Sequence, residues 1–280
     1  MPERNLTGNV VAITGGARGI GATTAVMLAD QGARVAIGDL DQALSENVAD
    51  GIGRGARGYE LDVTDRESFD RFLDRVETDL GPLDTLINNA GIAPTSPLVT
   101  DQPPAVIDRT IDVNLNGVIN GTIAAVERLA PRGSGQIVNV ASLAGVNGVK
   151  GLSAYSASKF GAVGFTESIR IEFEGSGLIF TCVMPGPVST EMMDGTADSP
   201  MIKLIPPEQV AGAIVEAMKS GRERVSVPKS VGALARLITL LPPRTAIRLN
   251  RLLGMDRVYT EVDRSARASY VERTTGDIES

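Results

Sequence analysis

Asn9-Val10-Val11-Ala12-Ile13-Thr14-Gly15-Gly16-Ala17-Arg18-Gly19-Ile20-Gly21 decides the fold. Its first six residues form a β-branched apolar run that reads as a strand buried on both faces. Glycines follow at once, and an apolar periodic stretch then runs to Asp30, which reads as a helix. A strand–turn–helix of this kind lets backbone N–H groups meet a pyrophosphate where the helix dipole favours anions. The spacing is not G-x-G-x-x-G, because the key glycines are Gly15, Gly19 and Gly21. Glycines alone would also suit a purely structural turn, and the strand–turn–helix context favours the binding reading.

Outward from this unit, short apolar runs alternate with helical patterns. The runs are Arg34–Gly38, Leu83–Ile87, Gln136–Val140, Ile179–Val183 and a weaker Arg224–Val227. Helical stretches lie between them, among them Asp65–Leu80, Pro104–Leu129 and Ala154–Glu174. Strands spaced by helices imply βαβ units, so the expected fold class is α/β, a doubly wound parallel sheet with helices on both faces. A length of 280 residues suits one such domain, or one plus an appendage. Glycine at 31 residues is above ordinary usage and suggests close backbone approaches.

Composition excludes several chemistries. There is no histidine, which removes His-based triads, imidazole metal sites and His general bases. One cysteine, Cys182, allows neither an intramolecular disulfide nor a Cys-cluster zinc site, and suits a reducing compartment. No metal site is therefore expected, and acid–base work falls to Asp, Glu, Lys, Tyr or Ser. A formal net charge of −7 argues against broad nucleic-acid binding. The first twenty residues hold no long apolar stretch and no run of 18 apolar residues occurs. Neither a secretory signal nor a membrane span is expected, and the chain reads as cytoplasmic.

Five residues carry candidate chemistry. Asp39 ends the second strand 18 residues past Gly21, where an acid would take the ribose hydroxyls of an adenosine and repel a 2′-phosphate. Arg18 is a nearby cation that could instead accept such a phosphate, and the carboxylate is given the greater weight. Tyr155 and Lys159 stand four apart at the start of a helix, so phenol and ammonium can face one pocket. A cation beside the phenol would lower its pKa, and about 4 kcal/mol would bring it near ~7. A bare Y-x-x-x-K is more often ordinary helix. Ser142, just past the carboxyl end of the strand Gln136–Val140, changes that balance, because open α/β sheets bind ligands there.

Together these residues resemble the short-chain dehydrogenase/reductase family, in its T-G-x-x-x-G-x-G and Y-x-x-x-K form, over roughly residues 5–228. The resemblance implies a Rossmann-like fold with a seven-stranded parallel sheet. It implies cofactor contacts from Thr14, Gly15, Arg18, Gly19, Ile20, Gly21 and Asp39, with Asp62-Val63 at adenine. Asn88-Asn89-Ala90-Gly91 matches a segment that stabilises the sheet and touches the cofactor. Pro185, Gly186, Val188 and Thr190 match the stretch that holds a nicotinamide carboxamide. The implied catalytic group is Asn114, Ser142, Tyr155 and Lys159, in which Asn114 keeps a relay water, Ser142 polarises the substrate oxygen, Tyr155 is the acid–base and Lys159 also holds the ribose. The cofactor so implied is NAD rather than NADP, with turnover between a secondary alcohol and a ketone. An NADP-linked 3-oxoacyl reductase and a non-catalytic NAD-sensing or membrane-scaffold protein are the alternatives. Family members are often dimers or tetramers, which implies a homo-oligomer.

The end of the chain departs from the family pattern by some fifty residues, so residues 1–228 are read as the dinucleotide-binding and catalytic domain and 229–280 as a helical extension. Met192, Met193, Gly195 and Pro200 fall in the stretch that covers substrate in the family, and the methionines suit an apolar alcohol or ketone, or simply helix packing. From Lys219 to Arg257 the local charge is +7, against −14 for the remainder. Leu234, Ile238 and Leu241 share one helical face, and beyond Pro242-Pro243 the arginines 244, 248 and 251 oppose Leu249, Leu252 and Leu253. Such a segment, 229–257, can lie on an anionic membrane or pack on its own domain or a partner subunit. Ser265–Ser280 is polar and is expected to be mobile.

Overall fold

The computed structural model describes residues 3–197, 203–252 and 257–275; Pro200, Leu253 and residues 276–280 lie outside them. The first strand and helix are β1 (Val10–Thr14) and α1 (Gly19–Asp30), followed by β2 (Arg34–Asp39), α2 (Gln42–Ile52), β3 (Arg57–Glu60) and α3 (Arg66–Leu80). Then come β4 (Leu83–Asn88), α4 (Pro104–Ile111), α5 (Gly117–Leu129), β5 (Gly135–Val140) and α6 (Ser153–Glu172). The chain continues through β6 (Leu178–Pro185), α7 (Pro207–Ser220), β7 (Arg224–Val227), α8 (Lys229–Thr239), α9 (Pro243–Leu252) and α10 (Arg264–Thr275). The seven strands form one sheet in the order β3-β2-β1-β4-β5-β6-β7. Every neighbouring pair is parallel, which is the expected doubly wound, Rossmann-like architecture.

Alternation along the strands explains the layers. Val11 and Ile13 point to one face, where they pack with Leu28 of α1 and Ile214 and Met218 of α7. Val10 and Ala12 point to the other, with Phe72 and Val76 of α3 and Leu129 of α5. A strand covered on both sides must be apolar at every position, which is why β1 reads as an unbroken run. Asp65 caps α3 by accepting the N–H groups of Glu67 at 3.0 Å and Ser68 at 3.2 Å, and Phe69, Phe72, Leu73, Val76 and Leu80 form its buried stripe. β3 has no apolar run of its own: in Arg57-Gly58-Tyr59-Glu60 only Tyr59 is buried, so pairing with β2 makes this strand.

The order reverses at β1, from which β2 and β3 go one way and β4 to β7 the other. That leaves a crevice beyond the carboxyl ends of β1 and β4. The stretch Pro104–Leu129 is continuous, as expected, but widens into one π-type turn at Asp112–Asn116. Such turns re-aim side chains, and here the affected residue is Asn114.

For the described residues 265–275 the expectation of a mobile tail is corrected, and residues 276–280 lie outside the described residues. Residues 264–275 are the helix α10, in which Arg267 and Tyr270 are buried. The guanidinium of Arg267 donates to three carbonyls, Met192 at 2.8 Å, Asp194 at 3.1 Å and Ala93 at 2.6 Å. Asp263 N–H adds a bond to Gly195 O at 2.8 Å, where a Cβ on Gly195 would come within 2.4 Å of Asp263 O. The polarity of this segment therefore serves distant main-chain partners. Replacing Arg267 by Leu is expected to cost about 2–3 kcal/mol, since buried carbonyls would lose their donors. Limited proteolysis within 257–275 and a thermal melt would register the release. No helix among the described residues is long and apolar enough to cross a membrane.

Candidate active site

The carboxyl ends of β1, β2, β4, β5 and β6 open into a cleft of about 1050 Å³. Thr14 and Asn89 build its floor by interlocking two strands. The N–H groups of Asn89 and Ala90 each donate to Thr14 Oγ1 at 3.0 Å, while Asn89 Nδ2 donates to the carbonyls of Thr14 at 3.1 Å and Gly15 at 2.9 Å. Asn88 reaches the other way and donates to Asn139 Oδ1 at 2.8 Å inside the core. A Cβ on Gly21 would sit 2.2 Å from Gly15 O, so only glycine permits this turn. Gly15, Arg18, Gly19 and Ile20 reach the cleft wall, whereas Thr14 and Gly21 lie behind it.

Helix α1 begins in this wall with no side-chain cap and no acidic residue in its first turn. Its free N–H groups and positive dipole end are left for an anion. Asp39 lines the same side, its Oδ2 accepting Ala17 N–H at 3.2 Å and its Oδ1 accepting Asp41 N–H at 3.2 Å. Arg18 is drawn to other carboxylates, Asp41 at 3.5 Å and Glu191 at 3.4 Å. Asp62 and Val63, Asn89, Ala90 and Gly91, and Pro185, Gly186, Val188 and Thr190 all face the cleft. An uncapped helix start, a glycine bed and an acid at the second strand's end fit a dinucleotide, which the family resemblance implies.

The opposite part of the cleft holds the titratable groups. Helix α6 projects Tyr155 and, one turn on, Lys159, whose Nζ lies 5.7 Å from the phenol ring centroid. Lys159 is 3% exposed and donates to Val140 O at 3.0 Å. Ser142, just past the end of β5, accepts Ala144 N–H at 3.1 Å and donates to Pro185 O at 3.5 Å, and lines the cleft beside Tyr155. Asn114 is fully buried behind them. It donates to Ile92 O at 2.8 Å and to Ser158 Oγ at 3.1 Å, and its Oδ1 accepts Ile92 N–H at 2.8 Å. A Cβ on Gly91 would lie 3.2 Å from Asn114 Oδ1 and 3.4 Å from Lys159 Nζ, so these polar atoms flank the bare glycine.

Electrostatics here run against the simple expectation from spacing. Burial pushes the Tyr155 phenol up to about 12, the Ser142 hydrogen bond opposes it, and the nearby Tyr270 adds to the rise. Burial also pushes Lys159 down to about 8. Desolvation is the largest influence on both groups, and it holds the phenol above and the ammonium below their ordinary values.

Two further tyrosines close the cleft from the tail. Tyr270 hydroxyl accepts Ala93 N–H at 2.7 Å, and Tyr259 hydroxyl donates to Met193 Sδ at 3.6 Å. Both line the cleft, as do Met192 and Met193. Sequence reasoning missed them. The available signal was rarity: the chain has four tyrosines, and Tyr155, Tyr259 and Tyr270 meet here.

A cis-4-hydroxycyclohexanecarboxylate dehydrogenase of Sinomonas cyclohexanicum is 36% identical over 217 residues, covering 73% of this chain and 87% of that protein. Human estradiol 17-beta-dehydrogenase 11 is 31% identical over 263 residues, covering 91% of this chain and 87% of that protein. The crystal structure of levodione reductase superposes with a TM-score of 0.74 at 25% identity, over 81% of this chain and 99% of that one. Some relatives are much longer: the chain spans 43% of Mycobacterium tuberculosis oxidoreductases to which it is 34% identical over 256 residues. The profile of the short chain dehydrogenase family matches residues 9–200, which include β1 to β6 and the whole Asn114, Ser142, Tyr155 and Lys159 group. That match spans well over half of the sequence, and the chain belongs to the short-chain dehydrogenase/reductase family.

Proposed function

We propose that the protein is an NAD(H)-dependent oxidoreductase that interconverts a secondary alcohol and a ketone on a lipophilic molecule. The observation that carries this reading is the meeting of Ser142, Tyr155 and Lys159 in one cleft with a glycine loop and an uncapped helix start. The dinucleotide, when bound, supplies the ring that accepts or gives the hydride. The α1 N–H groups and Gly15 to Ile20 would hold its pyrophosphate, Asp39 its adenosine ribose, and Pro185 to Thr190 its nicotinamide end. Tyr155 takes the alcohol proton in oxidation and returns it in reduction. Ser142 donates to the substrate oxygen and steadies the phenol. Lys159 holds positive charge beneath the site, and Asn114 fixes the loop at Ile92 against which Lys159 rests.

The substrate side favours an apolar ligand. Leu143, Val149, Leu152, Met192, Leu234 and Ile238 line it. In this reading residues 1–228 carry the cofactor and catalytic groups, and Val231, Leu234, Ile238, Ile247, Tyr259 and Tyr270 of the extension 229–280 complete the substrate wall. The similar proteins are named for a hydroxycyclohexanecarboxylate and for estradiol, both ring alcohols, which supports a secondary alcohol as the class. A panel of steroid, acyl and small alcohols with NAD, followed at the nicotinamide absorbance, tests it. Tight NAD binding with no turnover across the panel would favour a non-catalytic sensor.

Asp39 sets the cofactor choice in this proposal. A carboxylate and a phosphate ~4 Å apart repel by about 4 kcal/mol at an effective dielectric of ~20, and screening at a half-buried rim leaves roughly half. Asp39→Asn keeps the shape and removes the charge. Its preference for NAD over NADP, as a ratio of kcat/KM values, is expected to fall roughly 30-fold, the equivalent of about 2 kcal/mol. An unchanged ratio would remove Asp39 from this role.

A further inference from the structure

The helices α8 and α9 leave an apolar surface uncovered beside the cleft. On α8 the small or buried positions Gly232, Ala235 and Ile238 pack inward. Leu237 and Leu240 stand out at 62% and 79% exposed. Helix α9 has no buried residue at all, and Ile247 and Leu252 are 58% and 83% exposed. Packing on the chain's own domain therefore does not account for these side chains. A cluster of exposed leucines at this density marks an interaction surface.

Charge says what covers it. Arg236, Arg244, Arg248 and Arg251 are exposed on the same two helices, and no carboxylate among the described residues pairs with any of them. Residues 229–252, which hold both helices, carry +5 with no Asp or Glu, while the remainder carries −12. A second copy meeting this face across a two-fold axis would set these arginines against their own equivalents, which repel. An anionic lipid headgroup layer complements both features, with leucines below the headgroups and arginines among them.

We propose that α8 and α9 dock on an anionic lipid surface with the mouth of the cleft turned toward it. Val231, Leu234 and Ile238 of α8 and Ile247 and Arg251 of α9 line the cleft itself, so docking joins the bilayer to the substrate side. A lipophilic alcohol then enters from the membrane rather than through water. This second part rests on the oxidoreductase reading above; the docking itself does not.

The test is co-sedimentation of the full chain with vesicles of phosphatidylcholine alone, or with about a third phosphatidylserine. Binding is expected on the anionic vesicles at low salt, at least ~tenfold above the neutral ones, and to weaken as salt rises. The double variants Leu237→Asp with Leu240→Asp, and Arg244→Glu with Arg248→Glu, are each expected to lower the bound fraction about tenfold. Neither changes turnover of a water-soluble alcohol, and both slow turnover of one embedded in vesicles. No binding to anionic vesicles at low salt overturns the proposal, as does binding that both variants retain. Light scattering that shows a dimer made monomeric by the leucine variant would assign the face to a second copy and overturn it too. Sedimentation needs no turnover, so intact binding without dehydrogenase activity would sink the enzymatic reading and leave the docking standing.

Discussion

Tyr155→Phe is expected to bind NAD as the parent does and to lose turnover by about a thousandfold or more, the range of a general acid–base group. Phenylalanine keeps the ring that lies 5.7 Å from Lys159 Nζ, so packing is preserved. What disappears is the hydroxyl that stands beside Ser142 in the cleft and, in the proposed reaction, carries the proton. A purely packing tyrosine would show the reverse pattern, with altered stability and unchanged kcat. Calorimetric NAD titration and single-turnover absorbance separate the two, and a wild-type rate in the variant defeats the assignment. The pH dependence has a sign as well. With the phenol pushed up to about 12 by burial, its basic form is scarce at neutral pH. Alcohol oxidation should therefore climb with pH, close to tenfold per pH unit below the working pKa, while ketone reduction stays flat over the same range.

The elements legible in the sequence are those whose causes are local. β1 announces itself because burial on both faces demands an unbroken apolar run. The turn at Gly15 to Gly21 is legible because an uncapped helix start and a 2.2 Å clash at Gly21 leave no other residue type. Tyr155 and Lys159 share a helix face by spacing alone. The strand β3 was not legible, since its single buried residue gives no pattern and β2 imposes its conformation. Nor was the tail. Arg267 and Tyr270 look like residues of a polar terminus until Ala93, more than 170 positions away, supplies their partners. The direction of the phenol's pKa was hidden for a similar reason. Spacing reveals the neighbouring cation, but only the folded cleft reveals how completely both groups leave water.

Lys159 carries the same desolvation into stability, and Lys159→Met is expected to make the protein inactive and more stable. Burial pushes its pKa from the ordinary 10.5 down to about 8. Below pH 8 the folded protein holds a buried ammonium that the unfolded chain would keep in water. The gap between the two values corresponds to about 3 kcal/mol of lost stability. Between pH 8 and 10.5 the unfolded chain binds more protons than the folded one, so the wild type gains stability as pH rises and the penalty fades. Methionine has nearly the same length and no charge to bury. It forfeits the hydrogen bond to Val140 O, worth about 1 kcal/mol, which leaves about 2 kcal/mol of net gain at pH 7. That gain should raise the melting temperature by roughly 5 °C and vanish or reverse near pH 10.5. Melting both proteins across pH 6 to 10.5 tests the claim, and a variant less stable at pH 7, or a difference independent of pH, would refute it. A chain with no catalytic use for this ammonium would gain by discarding it. The expected pairing of lost turnover with gained stability is thus what distinguishes a charge kept for chemistry from one kept for the fold.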